Sequence, residues 1–274
     1  MAKKAKVFID GEHGTTGLKI RERLAERTDI EVLSIPHEER RNDEYRAKLL
    51  NEADIAVLCL PDDASRQAVA MLEESGNETT RVIDTSTAHR TAPSWVFGFA
   101  ELTAGQEAAI ASARFVSNPG CYSTGAIALL RPLIDAGVMA PGHPISINAV
   151  SGYSGGGKTL IAQMEDASHA EHIGANHFLY ALSMAHKHLP EIVSRAGLKR
   201  TPIFTPNVGR FAQGMLVNIP LHLDLLITSP EADYVREILA KHYHGAKFVK
   251  VAGQQECKGL VRVDAEEMVG SDEM

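Results

Sequence analysis

Basic residues, cysteines and long apolar runs are all scarce in this sequence, and each shortage argues against a class of protein. Among 274 residues, 28 are Lys or Arg and 35 are Asp or Glu, which gives a formal net charge of −7 at pH 7. A protein that binds nucleic acid normally presents a basic face to the phosphate backbone. The acidic balance therefore predicts no nucleic-acid partner.

The three cysteines are too few and too widely spaced to predict a disulfide framework. No apolar run reaches the roughly 18 residues that a membrane-spanning helix requires. The first residues, MAKKAKVFID, enter a strand pattern directly and lack the apolar stretch of a secretory signal. We therefore expect a protein of the reducing cytoplasm with no membrane partner.

The first third of the chain alternates short apolar strands with amphipathic helices. The predicted strands lie at 6–10, 30–35, 54–60 and 81–86. This β-α-β order predicts a parallel sheet of the Rossmann type with right-handed crossovers.

The pattern changes near residue 117, after which the predicted strands are longer and alternate between apolar and polar residues. They lie at 144–151, 200–206 and 214–223, and such strands are typical of a mixed or antiparallel sheet with one covered face. We expect an α/β protein of two domains, with 1–117 binding a dinucleotide. We expect residues 118–274 to form an α+β domain for catalysis, substrate binding and oligomerisation.

The first turn of the chain, DGEHGTTG, places Gly11, Gly14 and Gly17 directly after the first strand. Its G-x-x-G-x-x-G spacing differs from the usual G-x-G-x-x-G of dinucleotide folds, but the physical reason for the glycines is the same. They let the backbone approach a pyrophosphate, whose charge is bound by the N–H groups at a helix N-terminus. The alternative is a plain tight turn between a strand and a helix.

The end of the second strand is the place where dinucleotide folds distinguish NAD from NADP. An acidic residue there would bind the ribose 2′-hydroxyl of NAD, whereas this chain has Ser34 followed by Arg40 and Arg41. A hydroxyl and two arginines suit a 2′-phosphate, so NADP is predicted. Two glutamates lie beside the arginines, so the alternative is a cluster of solvated charges that does not bind the cofactor.

Cys121 lies in SNPGCYSTG, after an Asn-Pro-Gly turn and at the start of an apolar helix. The free N–H groups of a helix N-terminus stabilise a thiolate, which makes a cysteine nucleophilic at neutral pH. The alternative is a small buried residue, which is our interpretation of Cys59 inside the strand AVLCL. Cys257 carries no signal of function.

The segment AHKHLPEI offers His186, His188 and Glu191 just before another amphipathic helix. A thiolate enzyme needs a group that moves protons, and histidine is the natural one. The sequence does not decide between the two histidines. A zinc site is the alternative, but no cysteine pairs accompany it, and we predict no metal.

The segment SGYSGGGKT, residues 151–159, formally matches the P-loop pattern of nucleotide-hydrolysing proteins. Such a protein also needs a downstream apolar strand that ends in Asp, and the best candidate, NIPLHLD, alternates and contains a proline. We therefore favour a loop that holds the phosphate of a substrate, with Lys158 beside it.

Together these motifs resemble the N-acetyl-gamma-glutamyl-phosphate reductase family, in its shorter form, within the semialdehyde dehydrogenase superfamily. The matching segments occur in the family's order and span nearly the whole chain: the glycine turn, LPDDAS, VIDTSTAHR, SNPGCYST, SGYSGGGK, HKHLPEI and FTPNVGRFAQGM. Two departures are Ala100, where the family has a proline, and the end at Met274. The family continues further, so we expect a C-terminal segment that returns to the first domain to be lacking.

The resemblance implies an NADPH-dependent enzyme of arginine biosynthesis, with Cys121 as the nucleophile that forms a thioester and His186, His188 and Glu191 near it. The further predicted cofactor contacts are Thr15, Thr16, Pro61 and Ser86. The predicted substrate contacts are Arg90, Asn118, Ser151, Gly155, Gly156 and Lys158. We also expect a homo-oligomer, a dimer or a tetramer.

Three other functions stay open at this point. A relative could act on aspartyl or aminoadipyl phosphate, a regulator could bind NADP without catalysis, and a cysteine hydrolase would not need the first domain.

Overall fold

The computed structural model describes residues 3–274 and divides into two compact units. The first comprises the described residues up to Ala100 together with Gly105–Pro119, and the second comprises Glu101–Ala104 and Gly120–Met274. Within the described residues, no helix is both long and apolar enough to cross a membrane.

The first unit is built on a six-stranded sheet in the order β2-β1-β3-β4-β6-β5. Every pairing in it is parallel, which confirms the Rossmann-type prediction. The strands are β1 (Ala5–Asp10), β2 (Ile30–Leu33), β3 (Ile55–Leu58), β4 (Arg81–Asp84), β5 (Val96–Phe97) and β6 (Phe115–Ser117). The helices between them are α1 (Thr15–Ala25), α2 (Asp43–Glu52), α3 (Asp62–Glu74) and α4 (Gln106–Ser112).

The core of the first unit explains why its strands are continuous apolar runs. Phe8, Leu58 and Val82 from neighbouring strands are buried against Leu50 of α2 and Leu72 of α3. Helices cover a parallel sheet on its faces, so its strands carry apolar residues on both sides. The carboxyl ends of β1 and its neighbours then share one edge, which is where such folds bind their ligands.

The second unit contains a four-stranded sheet in the order β10-β7-β9-β8. Its central pair, β7 with β9, is parallel and the two outer pairs are antiparallel, so the mixed sheet is confirmed. The strands are β7 (Ser146–Gly152), β8 (His177–Leu179), β9 (Ile203–Gly209) and β10 (Met215–Asn218). The helices are α5 (Cys121–Asp135), α6 (Gly157–Glu165), α7 (Leu189–Ala196), α8 (Ala232–His242) and α9 (Gln254–Gly259).

Helix α5 is the centre of the second unit and packs against α7, α8 and β10. Ile127 and Leu130 on it are fully buried. A Cβ at Gly125 would lie 2.8 Å from Cγ2 of Val217 on β10. The glycine therefore allows the helix to lie close to the sheet, and this packing holds the residue at the helix N-terminus in a fixed position.

Candidate active site

Cys121 is the first residue of α5, and the helix begins there without a side-chain cap. Gly120 occupies the N-cap with extended backbone and no side-chain cap hydrogen bond, and the first turn holds no acidic residue. The thiol side chain is exposed. A thiol at an uncapped helix N-terminus, open to a reactant, is the arrangement that favours the thiolate form.

Cys59 provides the contrast within the same chain. It is partly buried, directly after β3, and burial raises the pKa of its thiol to about 11. A thiol with that pKa stays protonated at neutral pH and is a poor nucleophile. The structure therefore agrees with the interpretation of Cys59 as a packing residue.

Glu191 fixes the turn that presents the thiol. It lies in the first turn of α7, is 1% exposed, and its Oε2 accepts the N–H of Gly120 at 3.1 Å. Its Oε1 lies 3.9 Å from Nε2 of His188. One buried carboxylate therefore contacts both the residue before Cys121 and the second histidine of the HKHLPEI segment.

The two histidines are held in different ways, although both are buried. Nδ1 of His186 accepts the backbone N–H of His188 at 3.1 Å, and Nε2 lies 3.2 Å from the hydroxyl of Tyr180. With Nδ1 used as an acceptor, the ring proton belongs on Nε2. Burial, with a smaller effect from Lys187, lowers the pKa of His186 to about 4. His186 is therefore neutral at pH 7 and supports the backbone of His188.

Tyr122, which the sequence prediction missed, connects these groups to the sheet. Its hydroxyl donates to the carbonyl of Asn207 at 2.8 Å and lies 2.8 Å from Oγ of Ser151, and Tyr180 hydrogen bonds to it as well. Burial raises the pKa of both tyrosines. The result is a chain of neutral donors and acceptors from His186 through Tyr180 and Tyr122 to β9.

The glycine loop follows β7 as predicted, and the residues predicted to bind substrate there differ in exposure. Ser151 is buried against Tyr122, whereas Gly155, Gly156 and Lys158 are exposed. The left-handed backbone of the loop lies at Gly157, with φ +76°, where α6 begins. Lys158 thus stands in the first turn of α6, on the solvent side of the loop.

Gly152, the first glycine of the P-loop pattern, has a packing reason of its own. A Cβ there would lie 2.5 Å from the carbonyl oxygen of Ala212, and its N–H donates to Gly214 at 3.0 Å. This glycine lets β7 lie against the 211–214 turn, a requirement unrelated to nucleotide binding.

In the first unit, the glycine turn closes through contacts that no side chain would allow. Gly11 has φ +91°, and a Cβ there would lie 2.3 Å from the carbonyl oxygen of Cys59. A Cβ at Gly17 would lie 2.4 Å from the carbonyl oxygen of Gly11. The turn leads into α1 at Thr15 and Thr16, with Gly14 at the N-cap, no side-chain cap hydrogen bond and no acid in the first turn. An uncapped helix N-terminus behind a tight glycine turn fits a pyrophosphate.

The residues after β2 contact the glycine turn through an acid that the sequence prediction did not consider. Glu12 is 1% exposed; its Oε1 accepts the N–H of Ile35 at 3.0 Å, and its Oε2 accepts the hydroxyl of Ser34 at 3.4 Å. Arg40 donates to the carbonyl of His37, and Arg41 is exposed. The residues that follow β2 in the sequence do not include Glu12, which reaches this place from the turn after β1.

The loop after β4 is organised by Asp84, a fully buried carboxylate. It accepts the hydroxyl of Ser65 at 2.6 Å and both the N–H and the hydroxyl of Ser86, at 2.9 and 2.8 Å. Nδ1 of His89 lies 2.6 Å from it. The hydroxyl of Ser86, a predicted cofactor contact, is thus held by Asp84.

The remaining predicted residues of the first unit lie at the same sheet edge or just beyond it. Pro61 is exposed at the N-cap of α3. Arg90 is buried and donates to the carbonyl of Thr85 at 3.1 Å. Asn118 is exposed, and its N–H donates to the carbonyl of Asp84 at 2.7 Å. Among the residues that the structure describes, no three His, Cys, Asp or Glu side chains gather closely enough to hold a metal ion.

Two family models match the chain. The model described as semialdehyde dehydrogenase, NAD binding domain, matches residues 6–111, and the one described as semialdehyde dehydrogenase, dimerisation domain, matches residues 121–271.

The chain is also similar to curated proteins along almost its whole length. It is 60% identical over 271 residues to the N-acetyl-gamma-glutamyl-phosphate reductase of Brucella anthropi, which covers 99% of this chain and 86% of that protein. It is 59% identical to the reductase of the same name from Brucella suis, with 99% and 87% covered.

Solved structures with the same fold are more distant in sequence. Aspartate semialdehyde dehydrogenase II from Vibrio cholerae superposes with a TM-score of 0.64 at 16% identity, covering 96% of this chain and 87% of that one. A probable aspartate-semialdehyde dehydrogenase from Pseudomonas aeruginosa also gives 0.64, at 15% identity, with 99% and 86% covered. At these identities the likeness supports the fold alone.

Proposed function

The chain belongs to the N-acetyl-gamma-glutamyl-phosphate reductases of the semialdehyde dehydrogenase family, and we propose that it works in arginine biosynthesis. The proposed reaction is the NADPH-dependent reduction of N-acetyl-gamma-glutamyl phosphate to N-acetylglutamate 5-semialdehyde, with release of phosphate. The observation that carries the proposal is Cys121 at an uncapped helix N-terminus, with Glu191 holding the preceding residue. A nucleophile placed in this way suits the displacement of phosphate from an acyl group.

In the first step, the Cys121 sulfur attacks the acyl carbon. The new C–S bond replaces the C–O bond to phosphate, and the thiol proton leaves with the phosphate. His188 is the group proposed to carry that proton, because its neighbour His186 has its Nδ1 committed to the backbone. Glu191, 3.9 Å from Nε2 of His188, can compensate the charge of the imidazolium while it holds the proton.

In the second step, the thioester carbon accepts a hydride, which is the chemistry that the reduced nicotinamide supplies when it is bound. The C–S bond then breaks, the aldehyde forms, and the Cys121 sulfur departs as a thiolate that the helix N-terminus stabilises. His188 takes up a proton from solvent, which replaces the one that left with the phosphate. The thioester matters because it accepts a hydride far more readily than a carboxylate does.

Cofactor binding is proposed for the turn at Gly11, Gly14 and Gly17, with the pyrophosphate on the first turn of α1. The family model that matches this part is described as NAD binding. The arginines Arg40 and Arg41 support NADP as the form used, because guanidinium groups suit a 2′-phosphate. Ser34 lies in the same loop, with its hydroxyl donating to Glu12.

The phosphate of the substrate is proposed to lie on the glycine loop of the second unit. Gly155, Gly156 and Lys158 are exposed there, at the start of α6. Backbone N–H groups of such a loop and a lysine together suit a dianion.

We also infer a homo-oligomer, dimer or tetramer, in the cytoplasm. A dimerisation-domain model matches residues 121–271, and light scattering after size-exclusion chromatography would give the mass. A monomer at micromolar concentration would contradict this inference.

The reverse reaction tests the proposed function directly. Phosphate-dependent reduction of NADP⁺ by N-acetylglutamate semialdehyde, followed at the absorbance of NADPH, is the expected result. Aspartate semialdehyde serves as the matched control and should react far more slowly. A rate that does not depend on phosphate, or a preference for aspartate semialdehyde, would contradict the proposal.

A further inference from the structure

Glu12 is a buried charge inside the glycine turn, and nothing in the proposed reaction uses it. Its carboxylate, 1% exposed, pairs with Arg21 of α1, whose side chain is 47% exposed. The same carboxylate accepts the Ile35 N–H at 3.0 Å and the Ser34 hydroxyl at 3.4 Å. It therefore joins the turn that leads into α1 to the loop that follows β2.

A second contact joins the same two segments. The rings of His13, next to Glu12, and His37, in the short helix His37–Glu39, meet edge to face with their centroids 5.2 Å apart. His37 in turn accepts Arg40 through its carbonyl oxygen. The loop after β2, which carries Ser34 and Arg40, is thus positioned from the glycine turn.

The loop after β2 lies where the Glu12–Arg21 pair can affect which cofactor binds. β2 is the neighbour of β1 in the parallel sheet, and its carboxyl end is where dinucleotide folds receive the adenosine ribose. In NAD enzymes a carboxylate at this place accepts the 2′-hydroxyl and repels a 2′-phosphate. Here a carboxylate is also present, but its oxygens are engaged by protein donors and Arg21 balances its charge.

We propose that the Glu12–Arg21 pair sets the preference of the chain between NADP(H) and NAD(H). Glu12 positions the ribose loop through Ser34 and Ile35, and Arg21 cancels the Glu12 charge that would otherwise repel a 2′-phosphate. Both are positioning residues. The inference rests on the proposal that a nicotinamide dinucleotide binds the first unit.

The test measures binding of the oxidised cofactors by calorimetry, without turnover. Arg21→Met keeps the apolar stem and removes the charge, so the Kd for NADP⁺ should rise about tenfold or more, the scale of an uncompensated charge. The Kd for NAD⁺ should stay within about threefold, because its 2′-hydroxyl carries no charge. Glu12→Gln keeps an acceptor for the Ile35 N–H and removes the negative charge. Its preference for NADP⁺ over NAD⁺ should equal or exceed that of the wild type.

Lys19→Met is the matched control, since Lys19 lies on the same helix and pairs with Glu22 on its exposed face. It loses the same charge and should leave the ratio of the two Kd values unchanged. Thermal melting of each variant reports whether it is folded. Equal weakening of both cofactors in Arg21→Met, a lower preference for NADP⁺ in Glu12→Gln than in the wild type, or an equal shift of the Kd ratio in Lys19→Met would overturn the inference. A wild-type chain that binds neither cofactor would overturn the proposed function as well.

Discussion

Two buried carboxylates of the first unit, Asp10 and Glu12, are balanced by arginines, whereas the buried groups behind Cys121 in the second unit are mostly neutral. Arg46 of α2, itself buried, donates to both oxygens of Asp10 at the end of β1, and Glu12 pairs with Arg21. Burial raises the pKa of Asp10, and Arg46 works against that rise. These pairs join the end of β1 to α2 and the glycine turn to α1.

The second unit uses hydrogen bonds between uncharged groups for the same purpose. His186, Tyr180 and Tyr122 form one chain of donors and acceptors, in which the histidine is neutral at pH 7 because its pKa is about 4. The carboxylate of Glu191 is the exception. The difference fits the proposal that the first unit binds the dinucleotide and that the second carries the proton transfer.

Replacement of the Cys121 thiol should have the largest effect on activity. Cys121→Ser should lower kcat at least about 10³-fold, because serine at neutral pH is a far poorer nucleophile without a dedicated base. Binding of NADP⁺ should be unchanged, since the glycine turn lies in the first unit. Cys257→Ser, at an exposed cysteine of α9, is the control and should keep wild-type kcat. A serine variant that retains more than about a tenth of kcat would contradict the thioester mechanism.

Matched substitutions at the two histidines separate the residue proposed to carry the proton from the residue that holds its backbone. His188→Asn should lower kcat by about 10²–10⁴-fold, the usual loss for an acid–base group. His186→Asn should lower it much less, because the asparagine oxygen can still accept the His188 N–H in place of Nδ1. Steady-state kinetics and the pH profile of each variant provide the measurement. A larger loss in His186→Asn would reverse the assignment.

The exposed lysine of the glycine loop tests whether charge also matters in the second unit. Lys158→Met should raise the KM for phosphate in the reverse reaction by about 10- to 100-fold, the scale of a lost hydrogen bond to a charged group. Lys199→Met, at another exposed lysine of that unit, should leave this KM unchanged, and neither variant should alter cofactor binding. The P-loop alternative makes a different forecast, since Mg-ATP would then bind in calorimetry and lose that binding in Lys158→Met.

The smallest effect concerns stability and follows from the neutral histidine. The folded pKa of His186, about 4, is below the ~6.5 of an unfolded chain. Between these two pH values the histidine binds its proton mainly in the unfolded chain. The contribution of His186 to the free energy of unfolding is therefore complete above pH ~6.5 and is lost as the pH falls towards 4. The melting temperature should therefore fall less between about pH 7 and pH 5 in His186→Asn than in the wild type. The exposed His172→Asn should behave like the wild type, and an identical fall in all three proteins would contradict the effect.

The parallel sheet could be predicted because its signals are local. The apolar strands and the glycine turn each lie within a few residues, and β1 to β4 appear where the pattern places them. The strands β5 and β8, of two and three residues, are too short to show a period. The predicted strand at 200–206 is β9, which begins only at Ile203 and continues to Gly209. Its ends are decided by its pairing with β7 and β8, which are distant in sequence.

The site was predictable only where its residues are close in sequence. Cys121 and the HKHLPEI segment are recognisable because each motif is short. Tyr122 was missed, since its partner Asn207 is 85 residues away in the chain. The proposed role of His186 depends on its contact with Tyr180, which no spacing rule connects to it. A polar side chain next to the proposed nucleophile was the one available signal for Tyr122.

The thioester on Cys121 is the central claim, and it can be observed without the cofactor. The chain is mixed with freshly generated N-acetyl-gamma-glutamyl phosphate, and both the intact mass and the released phosphate are followed. The account predicts a burst of phosphate that is stoichiometric with the protein, together with an acyl adduct that maps to the peptide of Cys121 and is absent in Cys121→Ser. Phosphate release only when NADPH is present, with no adduct on Cys121, would contradict it.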